Sequence, residues 1–399
     1  MKIKCERLDN FGRGIGLIDG KVIFIPNFLP EEKAEIVITE NKKNYMEGKI
    51  TKIYKSSSKR ILPQCPYKEC GCHINHIKYE EALEFKKQKV KDILKRLAKI
   101  DINNIDIISS DKIIGYRNKI TLKVKNGMIG YYKNSTHSLI NIDKCIICNQ
   151  KINKILQIIK KCDLSSVKSI VIKSDEEVMI IIEGYMDIKK LEKYSDSIYM
   201  NNKHIFGKKE ITYTLKNYKF LVSKDSFFQI NKEVCLKVYD KVLEYIGKGE
   251  KCIDLFCGVG TISIFLAKNF KKIIGIEINK EAIKCAKKNA IINNIDNVEF
   301  KCADANIISK HLSATSLVVD PARSGLSPEG IQNILNIKPQ KIVYVSCNPI
   351  TLARDLQKLS KYYIVKDMTL FDMFPQTYHV ECASLLCLKT LKVESDYYE

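Results

Sequence analysis

Apolar and polar positions alternate in short runs over the first 56 residues. KVIFIPN and AEIVITE are separated by Gly, Pro and Asn. Several short strands in so few residues predict a small β-barrel of the oligonucleotide-binding sort. The period then changes. Over residues 79–99, Leu83, Val90, Ile93, Leu94 and Leu97 recur at helical spacing with basic residues between them. That pattern predicts a packing helix with a solvated basic face. From 105 to 220 short strand-like runs return: KITLKV, MIGYY, SIVIK, VMIIIEGYM and ITYTL. From 221 onward, apolar strands alternate with helical stretches, as in a doubly wound α/β sheet. The expected organisation is a barrel over 1–56, a central β-rich domain over 57–220 and an α/β domain over 221–399.

Charge adds a class of partner. The 399 residues carry a formal net charge of +21. Such an excess fits a polyanion, most simply nucleic acid, although free use of Lys by an AT-rich genome also contributes. The beginning of the chain, MKIKCERLDNFGRG, has no apolar signal core. No run reaches the roughly 18 apolar residues needed to span a bilayer. The expectation is a cytoplasmic chain with its 15 cysteines reduced, so that clustered cysteines point to metal or catalysis before disulfides.

The α/β half carries the chemistry at its strand ends. In CIDLFCGVGTISIFLAK a strand meets a glycine-rich turn and then a helix, and Gly258 and Gly260 let a ligand approach the backbone. The next strand ends in Glu277, placed to bind two ribose hydroxyls. This fits dinucleotides and S-adenosylmethionine alike. Position 263 is Ser where a third glycine would complete a dinucleotide fingerprint, which favours the methyl donor. A third strand leads to Asp304, placed to meet an adenine amine, and a fourth ends in Asp320-Pro321. The fifth, IVYV, stops at Ser346 and Cys347, just ahead of a helix whose N-terminus can lower a thiol pKa. A thiol nucleophile at that place suits methylation of a pyrimidine carbon. Thiolate addition at carbon 6 makes carbon 5 nucleophilic, and a base then removes the carbon-5 proton. Glu381 is the expected base, with His379 beside it.

In the first half, Cys65, Cys70 and Cys72 fall within eight residues, with His76 shortly after. Thiolates so close can share one metal or cluster, a 4Fe–4S cluster or a structural zinc. Cys145 is the expected fourth ligand and Cys148 the reserve. The run Tyr116-Arg117-Asn118-Lys119 reads equally as a base-stacking group or as the start of a strand.

Two resemblances sharpen this picture. Residues 1–55 resemble a TRAM domain, an RNA-binding appendage of RNA-modifying enzymes. SFFQIN, DLFCGVGTI, DPARSGL, YVSCNPITLARDL and DMFPQTYHVE closely resemble the RNA 5-methyluridine methyltransferases. With a TRAM-like module and a cysteine cluster, the chain looks most like the branch that modifies 23S ribosomal RNA and carries a 4Fe–4S cluster. The resemblance implies an S-adenosylmethionine-dependent enzyme, and a monomer is the default expectation for an enzyme acting on a large RNA. It implies Cys347 as nucleophile and Glu381 as base. It also implies a donor site of Gln229, Phe256, Glu277, Asp320 and Asp304, and cluster ligands Cys65, Cys70, Cys72 and Cys145. The chain departs from the family with Cys70-Gly71-Cys72 in place of CGGC and with DPAR in place of DPPR. The same chemistry on transfer RNA, cytosine carbon-5 methylation and a non-catalytic RNA-binding protein are the competing expectations.

Overall fold

The computed structural model describes residues 1–389 apart from 68–69, 103, 134–135 and 307–311. The first six strands are β1 (Lys2–Lys4), β2 (Arg7–Leu8), β3 (Gly14–Ile18), β4 (Lys21–Ile25), β5 (Lys33–Asn41) and β6 (Met46–Lys55). They form one sheet in the order β1-β5-β6-β4-β3-β2. Alternation aims Ile3, Ile23, Ile25, Ala34 and Ile36 into a shared core around Phe28. Glu32, fully buried, accepts from the Arg60 guanidinium at 2.6 and 2.7 Å and from the Leu29 and Ser57 amides, which fixes the way out of this module.

The chain then runs through the cysteine-bearing segment into α1 (Tyr79–Ile93), extended by a π turn over Leu94–Ala98, and β7 (Asp106–Ile108). The central sheet follows: β8 (Lys119–Lys125), β9 (Met128–Tyr132), β10 (Leu139–Asn141), β11 (Val167–Ser174), β12 (Val178–Gly184), β13 (Ser197–Met200) and β14 (Lys203–Gly207). Its order is β10-β9-β8-β11-β12-β13-β14, and α2 (Gln150–Ile159) and α3 (Lys189–Glu192) help to cover it. A separate hairpin, β15 (Glu210–Leu215) and β16 (Tyr218–Ser223), leads onward.

The last part is the doubly wound unit. It contains α4 (Lys232–Ile246), β17 (Gly249–Leu255), α5 (Thr261–Leu266), β18 (Phe270–Glu277), α6 (Lys280–Ile292), β19 (Val298–Cys302), β20 (Ser316–Val319), α7 (Pro328–Ile337), β21 (Lys341–Ser346), α8 (Pro349–Leu359), β22 (Tyr363–Phe371) and β23 (Glu381–Leu388). Eight strands pair in the order β19-β18-β17-β20-β21-β23-β22-β7. The five from β19 to β21 are parallel, and β23 inserts antiparallel between β21 and β22. Strand residues are apolar on both faces because helices cover both. Val343 and Val345 meet α4, while Ile342 and Tyr344 meet α7, α8 and the Val90–Ile93–Leu94 stripe of α1. The packing unit around this sheet therefore draws α1 and β7 from far upstream. It also takes in the β15–β16 hairpin, whose Leu221 amide and carbonyl are both held by the buried Asn289 side chain of α6. Strand order reverses between β17 and β20, which opens a crevice at their carboxyl ends.

Candidate active site

The crevice is built first by the turn after β17. Phe256 takes a left-handed φ of +64°, unfavourable by roughly 1–2 kcal/mol for a residue with a Cβ. It is held by the Cys257 amide donating to the Ile276 carbonyl at 3.0 Å and by the Gly260 amide donating to the Cys257 carbonyl at 2.8 Å. Two glycines serve different ends. A Cβ at Gly260 would lie 2.6 Å from Phe300 Cζ, so this glycine lets α5 start against the sheet. A Cβ at Gly258 would meet nothing within 4 Å, so this glycine faces open space at the crevice. The Glu277 carboxylate accepts from the Gly258 amide at 3.2 Å and from the Asn279 amide at 2.8 Å. Asp304 follows Ala303, whose amide donates to the Glu277 carbonyl at 3.0 Å, and its own carboxylate accepts from Asn306. Asp320 follows β20, and its amide donates to the Leu255 carbonyl. Phe256, Glu277, Asp304 and Asp320 are thus gathered at neighbouring strand ends. Gln229 comes from another element, the loop before α4, where its carbonyl accepts from the Asn118 side chain at 2.9 Å.

Asp254 belongs with this group, although the sequence reading passed it over. It is fully buried in β17; Ser263 Oγ donates to its Oδ2 at 2.6 Å, and its Oδ1 has no partner among the described residues. Burial pushes its carboxyl up to about 7. A carboxylate inside an otherwise apolar strand, CIDLF, was the available signal. The open face at Gly258, the orphaned Asp254 oxygen and the Glu277 carboxylate fit a cationic, ribose-bearing ligand.

On the other side of the crevice, β21 ends at Ser346, whose register partner on β23 is Cys382. One residue beyond that last pair come Cys347 and Glu381, and the Glu381 charge acts on the Cys347 thiol. Asn348 caps α8 through the Ile350 amide, with Pro349 in the first turn. Asn348 Nδ2 and Thr351 Oγ1 donate to the Arg323 carbonyl at 2.9 and 3.1 Å, which docks the 321–326 loop beside Cys347. The buried Asp355 side chain steadies that loop from behind, accepting from the Leu326 amide at 2.8 Å and the Tyr344 hydroxyl at 2.7 Å.

The expected lowering of the Cys347 thiol is not realised. Burial pushes it up to about 11, the Glu381 and Asp320 charges add to the rise, and Arg323 opposes it. Desolvation and two carboxylates outweigh one guanidinium. Burial, then Asp320, raises the Glu381 carboxyl well above the ordinary range, again against Arg323. Burial, with Arg323 and Lys89 nearby, drives His379 down to about 3, so its ring is neutral.

The segment 372–379 that leads to Glu381 is held by residues the sequence reading assigned elsewhere. Lys86 is buried in an ion pair with Asp372 and donates to the Phe374 carbonyl at 3.2 Å. Lys89 donates to the Tyr378 carbonyl at 2.6 Å. The basic face of α1 is therefore not all solvated. Lys86 lies four residues before Val90 and Lys89 four before Ile93, on the apolar stripe, and that spacing was the signal. The Tyr116–Lys119 run resolves to the structural alternative. Tyr116 is buried with its hydroxyl donating to the Pro375 carbonyl at 3.0 Å, and Asn118 braces the Gln229 loop.

The cysteines converge without forming a ligand set. Cys65, Cys70, Cys72 and Cys145 lie within range of one another's charge. Among the described residues, however, no group of three or more Cys, His, Asp or Glu has the spacing to hold a metal ion. Cys145 is engaged instead with the Cys148 thiol and the Tyr131 hydroxyl, which together bring its own thiol down to about 6 against its burial. The donor types and their convergence suit a thiolate-held cluster, but the described residues do not stand at metal-binding spacing.

A doubly wound sheet with a glycine turn, an acid and a thiol at its strand ends is the arrangement of an S-adenosylmethionine-dependent methyltransferase. Comparison with known proteins narrows the class. Residues 189–389 match the family model for tRNA (uracil-5-)-methyltransferase, and residues 1–51 match the TRAM domain. An uncharacterized RNA methyltransferase of Caldanaerobacter subterraneus subsp. tengcongensis is 34% identical, covering 96% of this chain and 97% of its own. Another from Aquifex aeolicus is 34% identical over 98% of this chain and 99% of its own. Among solved structures, the Pyrococcus abyssi tRNA (uracil-54, C5)-methyltransferase in complex with S-adenosyl-L-homocysteine superposes with a TM-score of 0.80 at 29% identity, covering 97% of this chain and 100% of that one. The chain belongs to the RNA (uracil-5-)-methyltransferase family.

Proposed function

We propose that this methyltransferase modifies carbon 5 of a uridine in 23S ribosomal RNA, with Cys347 as nucleophile and Glu381 as base. The observation that carries the assignment of roles is their placement, Cys347 and Glu381 one register step beyond the Ser346–Cys382 pair at the mouth of the crevice. S-adenosylmethionine, when bound, supplies an electrophilic sulfonium methyl. Gln229, Phe256, Glu277, Asp304 and Asp320, together with Asp254, are the residues that hold it.

Cys347 Sγ adds as thiolate to carbon 6, and the electron pair of the carbon 5–carbon 6 double bond moves onto carbon 5 and the carbon-4 carbonyl oxygen as an enolate. Carbon 5 then gains the methyl group. Glu381 removes the carbon-5 proton, the double bond re-forms, and the thiolate leaves. The shared electrostatics order these events. Turning the thiolate into a neutral thioether removes the repulsion between two like charges, so the ionised form of Glu381 becomes available at the step that needs it.

A second reading, the same chemistry on transfer RNA, is favoured by the match along nearly the whole chain to the Pyrococcus abyssi enzyme, which acts on tRNA. The ribosomal reading rests on the resemblance of the barrel and the cysteine segment to that branch, although the barrel also falls within the 97% of this chain that the transfer-RNA enzyme matches. For the cysteines, a 4Fe–4S cluster on Cys65, Cys70, Cys72 and Cys145 rests on donor type and convergence, and iron and sulfide analysis of anaerobically purified protein tests it. A cytoplasmic monomer acting on RNA fits the composition, and among the described residues no helix is long and apolar enough to cross a membrane. The experiment that separates the substrates uses labelled methyl donor with 5-fluorouridine transcripts of ribosomal and transfer RNA offered separately. Fluorine blocks the final proton removal, so the RNA stays joined to Cys347. A labelled adduct with ribosomal RNA alone is the expected result; one with transfer RNA alone overturns the substrate, and loss of the adduct in Cys347→Ala, with donor binding intact, fixes the nucleophile.

A further inference from the structure

Five of the six backbone carbonyls from Met373 to Tyr378 accept a hydrogen bond from a group outside the segment. Asn231 Nδ2, at the start of α4, reaches the Met373 carbonyl at 3.4 Å, and Lys86 reaches that of Phe374 at 3.2 Å. Tyr116 of the central domain reaches Pro375 at 3.0 Å, and the Ile74 amide of the cysteine-bearing segment reaches Gln376 at 3.2 Å. Lys89 closes the series at Tyr378 with the shortest of these bonds, 2.6 Å. Within the segment, Thr377 Oγ1 donates to the Phe374 carbonyl at 2.9 Å and accepts from the His379 amide at 3.2 Å. Two residues beyond His379, β23 begins at Glu381.

Such a segment has no repeating backbone pattern of its own, so its shape is set by its donors. Lys89 is the last of them before Glu381. It is 8% exposed, its ammonium also lies 5.1 Å from the centre of the Tyr378 ring, and it stands on a helix packed against the sheet. A buried ammonium is retained where its partners need it, because its desolvation is otherwise unfavourable. We propose that Lys89 is a positioning residue for the base: by holding the Tyr378 carbonyl it fixes where β23 starts, and so where the Glu381 carboxylate stands relative to Cys347. This rests on the reading of Glu381 as the base. Lys89 acts on proton removal and release of the RNA, the steps in which Glu381 takes part, and not on thiol addition or donor binding.

The test uses the transcript that the wild-type chain methylates, made with ordinary uridine, and donor carrying a labelled methyl group. Lys89→Met, folded by its melting curve and binding S-adenosylhomocysteine like wild type, is expected to accumulate a denaturant-stable, labelled protein–RNA adduct. Its release of methylated RNA falls by roughly tenfold to a hundredfold, the effect of about 1 Å of misplacement. Lys89→Gln keeps a donor for the carbonyl and releases RNA at close to the wild-type ratio of adduct to product. Glu381→Gln is run beside them. Adduct in Glu381→Gln but not in Lys89→Met overturns the positioning role. Adduct in neither removes the assignment of the base and the proposal with it. Should Lys89→Met not fold, Lys89→Ala is read in the same assay against the same outcomes.

Discussion

Asp254 makes the buried electrostatics of the donor site measurable. Its carboxyl is pushed from 3.8 up to about 7, mainly by burial, with Ser263 opposing. A folded state that holds this proton up to about pH 7, against an unfolded chain that loses it near 4, is stabilised at low pH and loses that stabilisation as pH rises through the interval. The difference is worth at most about 4 kcal/mol. Asp254→Asn cannot ionise, keeps an oxygen for the Ser263 hydroxyl and has nearly the same shape. Glu381 titrates in the same direction in both proteins, while the Asp254 charge also raises Asp320, so the comparison reads position 254 together with its effect on Asp320. At roughly 2–4 °C per kcal/mol for a domain of this size, the wild-type melting temperature is expected to fall between pH 5 and pH 8 by on the order of 10 °C more than that of the variant. Differential scanning fluorimetry without donor measures this directly. At pH 8 the variant is also expected to bind S-adenosylhomocysteine about tenfold to a hundredfold more weakly, because it removes the charge of a carboxylate whose Oδ1 has no partner among the described residues. Parallel pH profiles for the two proteins would refute the reasoning, since they would mean that Asp254 does not titrate within the fold.

Four further outcomes follow from the same geometry. Alkylation of Cys347 by iodoacetamide, followed by peptide mass spectrometry, should accelerate about tenfold per pH unit from 7 to 9, because the thiol stands at about 11; Arg323→Met should slow it throughout, and a flat profile would contradict the assignment. Lys86→Met strands the Asp372 carboxylate and should cost about 3–5 kcal/mol in urea denaturation, most of it recovered in Lys86→Met with Asp372→Leu. Gly258→Ala, at φ +56° with open space around the new methyl, should cost about 1–2 kcal/mol in folding yet abolish donor binding. Gly260→Ala, 2.6 Å from the Phe300 ring, should lower the melting temperature several-fold more.

What was legible in the sequence, and what was not, follows from how each feature is encoded. Glu277, Asp304, Asp320 and Cys347 could be read because each lies at or just beyond the end of a parallel strand, and an apolar run stopped by an acid or a thiol is a local pattern. The types of the cysteines were equally plain. Their spacing was not, since it depends on how the Cys145 loop meets a segment some 75 residues earlier, and there Cys145 turns to Cys148. The lysines of α1 were misread for a related reason. Charge predicts solvent unless a partner is known, and Asp372 lies 286 residues away from Lys86. The most consequential hidden feature is the order of the last strands. Nothing local says that β23 runs antiparallel between β21 and β22 instead of adding to the sheet's edge. Yet that insertion, with its register, sets Glu381 across from Cys347, and a slip of one residue would carry the carboxylate to the opposite face. The two residues assigned the chemistry are each visible in the sequence, but their relation is a property of the sheet. It is held in place by α1, the central domain and the cysteine-bearing segment, through the carbonyls they hold between Phe374 and Tyr378.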